Sequence, residues 1–364
     1  MRIDANVPIK NGVVDASGDA RLKAVLPEIQ ELLSCGVRLT LMTHVGRPEG
    51  VFDPAYSVQP IANYIARALK RKVEVCAVAD VSEGELVMLE NLRFDRGEEK
   101  DSAAFAKKLA KHGEIYINNA FGVCHRKHAS VHAITRYLPS YAGMALQKEV
   151  MELSRHYKHP AVLIVGGIKL ESKVEVIDHL APSVDAILTA GGVAVALIEA
   201  ATGQKVFAGG RAIDKNELAA AKRVFKRYRH KLHVPIDFLV SKRAPFTRLS
   251  TVHSEALAKN DHLFDIGPDS AEHYADLLSR ARTIFWNGPM GQAERAPASK
   301  GTLRLAKAIA ANKKAHSVVG GGDTVTFLEK NKLLDGFSFV STGGGAMLSF
   351  LGGEEMPGLE VLKK

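Results

Sequence analysis

Residues 161–173 read AVLIVGGIKLESK, and this stretch decides the fold class of the chain. Its first part, Ala161–Gly167, is a short apolar run that ends in two glycines, which is typical of a buried strand entering a tight turn. A polar stretch that suits the start of a helix follows directly. A strand that passes through a turn into a helix is the building unit of parallel α/β sheets. The stretch therefore predicts a parallel sheet covered by helices.

The same alternation continues on both sides of this stretch. The other runs that read as buried strands are Val37–His44, Lys72–Ala79, Glu85–Leu89, Ile115–Ala120, Ala186–Gly192, Thr283–Gly288, Ser317–Gly322 and Phe337–Gly345. The runs with apolar residues at helical spacing are Arg21–Ser34, Ser57–Lys70, Ser102–His112 and Met144–Tyr157. The last of these runs suits a helix that joins two sheets. The pattern predicts two α/β domains with mainly parallel sheets.

Composition narrows the class of protein but not its ligand. Of the 364 residues, 46% are hydrophobic and 24% are charged, which suits a globular protein of two or three domains. No apolar stretch approaches the roughly 18–20 residues of a membrane helix, and the start MRIDANVPIK lacks the apolar core of a secretory signal. Three scattered cysteines do not suit a disulfide framework, so we expect a cytoplasmic location. The net charge of +9 suits nucleic acid, an anionic membrane surface or phosphorylated metabolites, and composition does not choose among them.

Two lysines stand beside the glycine turn of the deciding stretch. Lys169 and Lys173 are four residues apart, so they share one face of the helix that begins there. Backbone N–H groups at a glycine turn, together with two ammonium groups, suit the phosphates of a nucleotide. The turn matches neither a Walker A loop nor a dinucleotide fingerprint. The alternative is an ordinary helix start with solvated lysines.

A second glycine turn, Gly320–Gly322, is followed by Asp323 and Thr324. A carboxylate beside phosphate-binding amides repels the phosphate unless a cation lies between them, so Asp323 predicts bound Mg²⁺. The competing interpretation makes Asp323 the N-cap of a helix over Thr324–Lys330. A third turn, Ser341–Gly345, indicates only that the backbone comes close to another group.

The segment Trp286–Gly291 (WNGPMG) contains the only tryptophan of the chain. A loop of this kind at a strand end can form a wall beside a nucleotide base. Glu294, three residues further on, would then accept hydrogen bonds from ribose hydroxyls. The alternative is a turn packed under a core tryptophan, and the segment alone leaves both interpretations open.

Cationic side chains follow the strand ends of the first half. The arginines on four separate strand-to-helix connections are Arg21, Arg47, Arg93 and Arg126. Ligands of open α/β sheets bind at the carboxyl ends of the strands, so we expect these arginines to converge on an anion. Asp4 and Asn6, at the end of the first strand, suit the orientation of a substrate hydroxyl or of one of these arginines.

Cys124, His125 and His128 have the spacing of metal ligands. The cations Arg126 and Lys127 stand among them and no second cysteine pair follows, so the pattern disfavours a zinc site.

The basic run Lys222–Lys231 (KRVFKRYRHK) has the composition of a nucleic-acid-binding helix. Such a run is more often a solvated helix face, anchored here by Phe225 and Tyr228, and we favour that interpretation.

Taken in order, these motifs resemble the phosphoglycerate kinase family over nearly the whole chain. The matching stretches are RIDANVP (2–8), DARLKAVLP (19–27), THVGRP (43–48), LENLRF (89–94), NNAFGVCHRKHAS (118–130), GGIKLESK (166–173), DIGP (265–268), WNGPMG (286–291), VGGGDT (319–324) and STGGGA (341–346). The resemblance implies two Rossmann-like domains joined by a helix, with a cleft between them. The corresponding bounds are 1–143 for a phosphoglycerate-binding domain, 144–158 for the helix and 159–349 for a Mg-nucleotide-binding domain. The tail, 350–364, would pack back near the first domain.

The resemblance also implies an activity and its residues. The reaction is reversible in-line phosphoryl transfer from 1,3-bisphosphoglycerate to ADP, which gives 3-phosphoglycerate and ATP with Mg²⁺ as cofactor. The implied phosphoglycerate-binding residues are Asp4, Ala5, Asn6, Arg21, His44, Val45, Gly46, Arg47, Arg93, His125 and Arg126. The implied nucleotide-binding residues are Gly167, Lys169, Lys173, Gly191, Gly192, Asn287, Pro289, Glu294, Gly321, Gly322, Asp323 and Thr324, with Asp323 also at Mg²⁺. Arg21, Lys169 and Lys173 would be catalytic.

The family's partners are small molecules, so the resemblance implies a monomer with neither a nucleic-acid nor a membrane partner. The implied reaction needs no covalent enzyme intermediate, and none of the three cysteines is placed as a nucleophile.

The chain departs from the family pattern at several positions. Met1 begins inside the expected first strand, and Ala5 stands where the family has Phe. Asn119 and Ser172 replace Asp residues, and Ala190 replaces a Gly. These departures motivate an alternative, a degenerate paralogue that binds nucleotide or anions without transfer, although the transfer arginine and lysines are present. A nicotinamide-dependent oxidoreductase is disfavoured because no strand is followed by G-x-G-x-x-G.

Overall fold

A computed structural model of the chain describes residues 1–15, 18–168, 170–208, 210–246, 248–259 and 261–363. Lys169, one of the predicted site residues, and the side chain of Ser172 lie outside the described residues. The chain forms two compact units: unit 1 comprises Met1–Glu152 with Glu354–Lys364, and unit 2 comprises Leu153–Gly353. Within the described ranges, no helix combines the length and apolar character needed to cross a bilayer.

Unit 1 is built on short parallel strands. Its strands are β1 (Arg2–Ile3), β2 (Ile9–Lys10), β3 (Val13–Val14), β4 (Leu39–Leu41), β5 (Glu74–Cys76), β6 (Leu86–Leu89), β7 (Tyr116–Asn119) and β8 (Ser140–Ala142). Its first helices are α1 (Ala20–Ser34), α2 (Gln59–Leu69), α3 (Ala103–Leu109) and α4 (Met144–Leu153), of which α4 leaves unit 1 at its last residue. Strands β2 and β3 form a separate hairpin.

The parallel strands of unit 1 run in the order β5-β6-β4 and β1-β7-β8. Arg2 pairs in parallel with Met42, directly after β4, so the two groups adjoin through β1. The backbone N–H of Ile3 donates to the Met42 carbonyl over 2.9 Å. Strand β6 (LVML) is buried throughout because neighbours cover both faces. The consequence for function is that β6, β4, β1 and β7 end side by side.

Helix α1 illustrates how the helices cover this sheet. It buries Leu22, Val25, Ile29 and Leu33, which are spaced by three or four residues and form one stripe. Removing each large apolar side chain from water contributes about 1.5–3 kcal/mol. The stripe therefore fixes the rotation of the helix and with it the direction of Arg21. Arg21 lies in the first turn of α1, so its predicted place on a strand-to-helix connection is wrong.

Unit 2 contains the longer sheet. Its strands are β9 (Ala161–Val165), β10 (Ala186–Thr189), β11 (Phe207–Ala208), β12 (Leu232–His233), β13 (Asp237–Ser241), β14 (Ser250–His253), β15 (His262–Ile266), β16 (Thr283–Asn287), β17 (His316–Gly320) and β18 (Phe339–Val340). Its helices are α5 (Glu171–Leu180), α6 (Gly191–Thr202), α7 (Lys215–Tyr228), α8 (Pro268–Arg280), α9 (Lys300–Ala311), α10 (Gly322–Lys330) and α11 (Gly345–Leu351). A last short helix, α12 (Pro357–Glu360), belongs to unit 1.

Six strands of unit 2 form one parallel sheet in the order β12-β10-β9-β16-β17-β18. The register aligns Val165 at the end of β9 with Asn287 at the end of β16. The glycine turns after β10, β9, β16 and β17 consequently meet at one edge. Four other strands form a mixed sheet, β11-β15-β13-β14, in which β13 runs antiparallel to both neighbours.

The predicted α/β class with mainly parallel sheets is confirmed, and several details of the prediction are wrong. The mixed sheet was not predicted, because its edge strand β14 is mostly exposed and β11 has two residues, so neither has a strong apolar pattern. The predicted strand Ala186–Gly192 ends at Thr189, since Gly191 and Gly192 begin α6. The predicted helix Met144–Tyr157 ends at Leu153.

Candidate active site

Four adjacent strands of unit 1 end in polar and cationic residues. Strand β6 leads to Arg93, β4 leads to His44 and Arg47, β1 leads to Asp4 and Asn6, and β7 leads to His125 and Arg126. The carboxyl ends of parallel strands share one edge of a sheet, which is where open α/β sheets bind ligands. The predicted anion-binding residues of unit 1 therefore follow neighbouring strands.

Direct contacts join several of these residues. The Nη1 of Arg21 donates to the Asn6 carbonyl over 2.9 Å and lies 3.4 Å from Oδ1 of Asp4. The backbone N–H of Gly46 donates to Oδ1 of Asn6 over 3.0 Å. Asp4 and Asn6 thus orient an arginine, one of the two roles predicted for them. Arg21 keeps a partly exposed side chain, at 28%.

Arg93 is almost completely buried and braces the loop after β4. Its side chain is 3% exposed, and its Nη1 donates to the carbonyl of Gly46 over 2.7 Å. Its Nε lies 3.2 Å from Oε1 of Glu99. Gly46 has φ +61°, and a Cβ there would lie 2.4 Å from the ring of Tyr56, so only glycine fits. Arg47, one residue on, is exposed.

His44 is held in one tautomer. The Nη2 of Arg2 lies 2.9 Å from Nδ1 of His44. An arginine N–H only donates, so Nδ1 accepts and the proton of the neutral ring is on Nε2. Burial, and then the charges of Arg2 and Arg93, hold the pKa of His44 well below 6.5. His44 is thus a neutral donor through Nε2.

Beneath His44 lies a buried polar network that the sequence did not reveal. Arg2 is fully buried, and its Nε donates to Oγ of Ser130 over 3.0 Å. Ser130 in turn donates from Oγ to Oε1 of Glu98 over 2.6 Å. Glu98 is also fully buried, and burial raises its pKa. Arg2 and Glu98 are 96 positions apart in the numbering, and no local pattern links them.

The loop after β7 contributes a paired imidazole and guanidinium. The Nε of Arg126 donates to Nε2 of His125 over 3.1 Å, which leaves the imidazole neutral in this arrangement. Burial, and then the charge of Arg126, lower the pKa of His125. Burial raises the pKa of the neighbouring Cys124 thiol to about 12, so this cysteine is unsuited to act as a nucleophile.

Two further predicted residues of unit 1 are backbone contacts. Ala5 is fully buried, and its N–H donates to Oγ1 of Thr43 over 3.2 Å. Val45 is buried as well, and its carbonyl accepts from Nδ2 of Asn91 over 2.8 Å. The backbone of Ala5 therefore joins the segment after β1 to the segment after β4, and the backbone of Val45 joins the segment after β4 to the segment after β6.

In unit 2, the glycine turns after adjacent strands pack against one another. The N–H of Gly167 donates to the Pro289 carbonyl over 3.1 Å, and the N–H of Gly192 donates to the Gly167 carbonyl over 2.8 Å. A Cβ on Gly191, which has φ +57°, would lie 2.6 Å from that same carbonyl. A side chain at Gly191 or Gly192 would force the turns apart, so close backbone approach requires glycine at these two positions.

Lys173 lies buried beside these turns. It is 8% exposed, and its Nζ donates to Oδ1 of Asn287 over 2.5 Å. Burial lowers the pKa of Lys173 to about 8, and the charge of Asp323 opposes that shift. The solvated-lysine alternative is therefore wrong for Lys173, since a buried ammonium group gains from an anionic partner.

Two buried donors in this region lack partners within the described part of the chain. They are Nδ2 of Asn287 and Oγ1 of Thr324. A Cβ on Gly321 would lie 3.2 Å from that Nδ2, so the amide stands next to the second glycine turn. Buried donors without partners are rare in folded proteins and suit oxygen atoms of a bound phosphate.

Asp323 is an exposed residue in the first turn of α10. The N-cap of α10 is Gly321, with φ +97°, so the interpretation of Asp323 as N-cap is wrong. Among the described residues, no group of three or more histidine, cysteine or acidic side chains could hold a metal. Mg²⁺ characteristically binds through one or two carboxylates and substrate phosphates. The exposed carboxylate of Asp323, close to the buried donors of Asn287 and Thr324, fits that set of ligands.

The remaining segments have clear positions. Trp286 is fully buried and donates from Nε1 to the Gly288 carbonyl over 2.8 Å, so its side chain belongs to the core. Glu294 is exposed. In the basic run, α7 ends at Tyr228, which is buried, whereas Phe225 is half-buried.

Cationic residues at a strand edge of unit 1, and glycine turns beside a buried lysine in unit 2, are the arrangement expected of a phosphotransferase with two Rossmann-like domains. The family model for phosphoglycerate kinase matches residues 1–354. The phosphoglycerate kinase of Deinococcus radiodurans is 39% identical over 378 aligned positions, which cover 100% of this chain and 91% of the relative.

Two solved structures agree. The phosphoglycerate kinase of Coxiella burnetii superimposes with a TM-score of 0.85 at 33% identity, over 99% of this chain and 94% of the other. That of Pyrococcus horikoshii OT3 also gives 0.85, at 31% identity, over 100% and 95%. The chain belongs to the phosphoglycerate kinase family. Its reaction is reversible phosphoryl transfer between 1,3-bisphosphoglycerate and ADP, and a binding-only paralogue is not favoured.

Proposed function

We propose that the residues at the strand edge of unit 1 bind the phosphoglycerate and that the glycine turns of unit 2 bind the nucleotide. The observation that carries this assignment is the buried Lys173, whose Nζ donates to Oδ1 of Asn287. Two buried donors beside it, Nδ2 of Asn287 and Oγ1 of Thr324, lack partners in the described chain. Such a group of donors is stabilised by an anion of several charges. A nucleotide phosphate chain supplies that anion.

On the phosphoglycerate side, Arg21 is the proposed catalytic residue. Its guanidinium is oriented by Asp4 and Asn6 and remains partly exposed, so it can turn toward a ligand. Arg47 and Arg126 would bind the distal phosphate, and His44 would donate from Nε2. Arg93 would act mainly by holding the loop that contains Gly46.

On the nucleotide side, Lys169 and Lys173 would neutralise charge on the phosphate chain. Gly167, Gly191, Gly192, Gly321 and Gly322 would admit the phosphates to the backbone. The residues proposed to complete the nucleotide site are Asn287, Pro289, Glu294 and Thr324. Bound Mg²⁺ would be held by Asp323 together with the phosphates, where it would supply neutralisation of charge on the transferred group.

Transfer would be direct and in line, because phosphoryl transfer is mostly positioning and electrostatic stabilisation. The acceptor oxygen, a carboxylate of 3-phosphoglycerate or a phosphate of ADP, is already ionised, so no side chain needs to remove a proton. Both substrates must meet in one site from which water is excluded. We propose that hinge closure of the two domains brings them together there. We also propose that the protein is a monomer and that it is cytoplasmic, and its three free thiols are in keeping with the cytoplasm.

A coupled assay with 3-phosphoglycerate and Mg-ATP tests the assignment. We expect Arg21→Met to lower kcat about 100-fold or more, the scale of losing one transition-state charge partner. Lys173→Met should raise the KM for Mg-ATP and lower kcat, with the KM for 3-phosphoglycerate nearly unchanged. The matched controls are the exposed residues Arg38 and Lys307, whose methionine variants should behave as wild type. Near-normal turnover of Arg21→Met would show that this arginine is not the transfer residue.

A further inference from the structure

We propose that Arg211 is a positioning residue for the glycine-lysine turn, the segment Gly166–Leu170 that links β9 to α5. Arg211 lies between β11 and α7, remote in sequence from that turn. Its Nη2 donates to the carbonyl of Ile168 over 2.7 Å. Ile168 directly precedes Lys169, which the proposed function places at the nucleotide phosphates.

The opposite side of the guanidinium is anchored. Nη1 lies 2.7 Å from Oε2 of Glu217, and Nη2 lies 2.9 Å from Oε1, so the ion pair is bidentate. Two parallel charge-assisted hydrogen bonds fix the plane of the guanidinium as well as its position. The remaining Nη2 hydrogen is thereby directed at one acceptor, the carbonyl of Ile168.

Glu217 is itself a fixed point. It is 1% exposed and lies in the first turn of α7, where its backbone N–H donates to Oδ1 of Asp214 over 2.9 Å. Its carboxylate accepts in return from the N–H of Asp214, which completes a capping box. The start of α7 therefore holds Glu217, Glu217 holds Arg211, and Arg211 holds the turn.

At Ile168, the residue whose carbonyl Arg211 contacts, packing of the side chain does not hold the turn. The side chain of Ile168 is 64% exposed and contributes little packing. Beneath its carbonyl lies Gly192, where a Cβ would come within 1.9 Å of the oxygen. Glycine and the guanidinium thus confine this carbonyl from two sides. Because the peptide unit is planar, holding the carbonyl restrains the orientation of the whole peptide unit that leaves Ile168.

The test is the coupled assay on Arg211→Met, with both substrates varied. This inference rests on the proposed nucleotide site, so we expect a fall of about 10-fold or more in kcat/KM for Mg-ATP, the cost of a misplaced catalytic segment. The KM for 3-phosphoglycerate should stay within about twofold. The matched control is Arg304→Met, which removes another bidentate arginine-glutamate pair of unit 2, at 2.9 and 2.8 Å from Glu272, without touching the turn. That control should leave both constants unchanged.

A second variant separates positioning from simple charge pairing. The double variant Arg211→Met with Glu217→Gln removes the carboxylate that Arg211→Met leaves buried and unpaired, and it keeps an acceptor for Asp214. Recovered thermal stability with a persistent defect toward Mg-ATP supports the bridge to Ile168. Recovery of both the thermal stability and the kcat/KM for Mg-ATP would overturn the positioning role, because neutralising Glu217 would then be the whole role of Arg211. Should Lys173→Met fail to affect Mg-ATP, the nucleotide site itself is misplaced; if only Arg211→Met has no effect, the positioning role alone is wrong.

Discussion

His44 and Lys173 are buried titratable residues of the proposed site, and burial lowers the pKa of both. For His44 the result is a neutral ring whose proton stays on Nε2, because Arg2 donates to Nδ1. For Lys173, burial disfavours the charged ammonium form and lowers the pKa to about 8, so an anion that enters the site would stabilise that form. In each case a neighbouring side chain, Arg2 or Asn287, holds the titratable group through a hydrogen bond.

The low pKa of His44 predicts a dependence of stability on pH. An unfolded histidine binds a proton below about pH 6.5, whereas folded His44 does not, so the unfolded state gains as the pH falls. The contribution of His44 to stability is complete above that pH and is lost below it, by up to about 1.4 kcal/mol per pH unit. We expect His44→Gln, which can still accept from Arg2, to reduce this loss in urea unfolding between pH 7.5 and 5.

The control for this experiment is the exposed His230, as His230→Gln. That variant should keep the pH dependence of the wild type. An unchanged dependence in His44→Gln would mean that His44 titrates normally in the folded protein.

At the scale of elements, the ends of parallel strands are the organising feature of both units. The end of strand β7 leads to His125 and Arg126 and also joins two helices. Its last residue, Asn119, donates from Nδ2 to Oε2 of Glu28 on α1 over 2.6 Å. The Oδ1 of Asn119 accepts from the N–H of Leu146 on α4 over 3.0 Å. Asn119 therefore joins a strand and two helices, which explains why an amide suits this position.

This junction predicts the effect of replacing the Asn119 amide by a carboxylate. Asn119→Asp would place a second carboxylate at the buried Glu28, whose pKa burial already raises. Two acceptors would then face each other without a donor, so we expect a loss of about 1–3 kcal/mol in the free energy of unfolding at pH 8. Chemical denaturation measures this. The exposed Asn63→Asp on α2 is the control, and equal effects of the two substitutions would contradict the role given to Asn119.

At the scale of the whole molecule, the chain leaves unit 1 at α4 and returns to it with the tail after unit 2. The tail is anchored at Gly358, whose N–H donates to the Cys124 carbonyl over 2.9 Å. The Gly358 carbonyl accepts from Nδ2 of Asn118 over 3.2 Å. The last segment of the chain thus packs beside the loop that carries His125 and Arg126.

Crowding at this anchor predicts what a larger residue would do. A Cβ at Gly358 would lie 3.0 Å from Cα of Cys124 and 3.2 Å from its Sγ. We expect Gly358→Val to displace the tail and expose this buried thiol. A thiol reagent should then label Cys124 in the native protein at least about 10-fold faster than in wild type, since only opened molecules react otherwise. Gly113→Val, at an open site, is the control, and unchanged labelling of Cys124 in Gly358→Val would show that the tail tolerates the side chain.

Much of the fold and of the candidate site was predictable from local patterns. Residues 161–173 specify strand, turn and helix through apolar periodicity and two glycines, and that information is contained within thirteen consecutive positions. The placement of Arg47, Arg93 and Arg126 after parallel strands of unit 1 followed in the same way, because parallel strands end on one edge. The mixed sheet was missed since its strands β11 and β14 lack a sufficient apolar pattern.

By itself, then, the sequence determined the alternation of strands and helices, the motifs at the strand ends and the family to which they point. Only the tertiary structure decided which polar atoms are buried and what they contact. Arg2 meets Ser130 beneath His44, and Arg211 meets the carbonyl of Ile168, across separations of 128 and 43 residues. Burial and hydrogen bonding depend on which distant segments pack together, and no local pattern of residues carries that information.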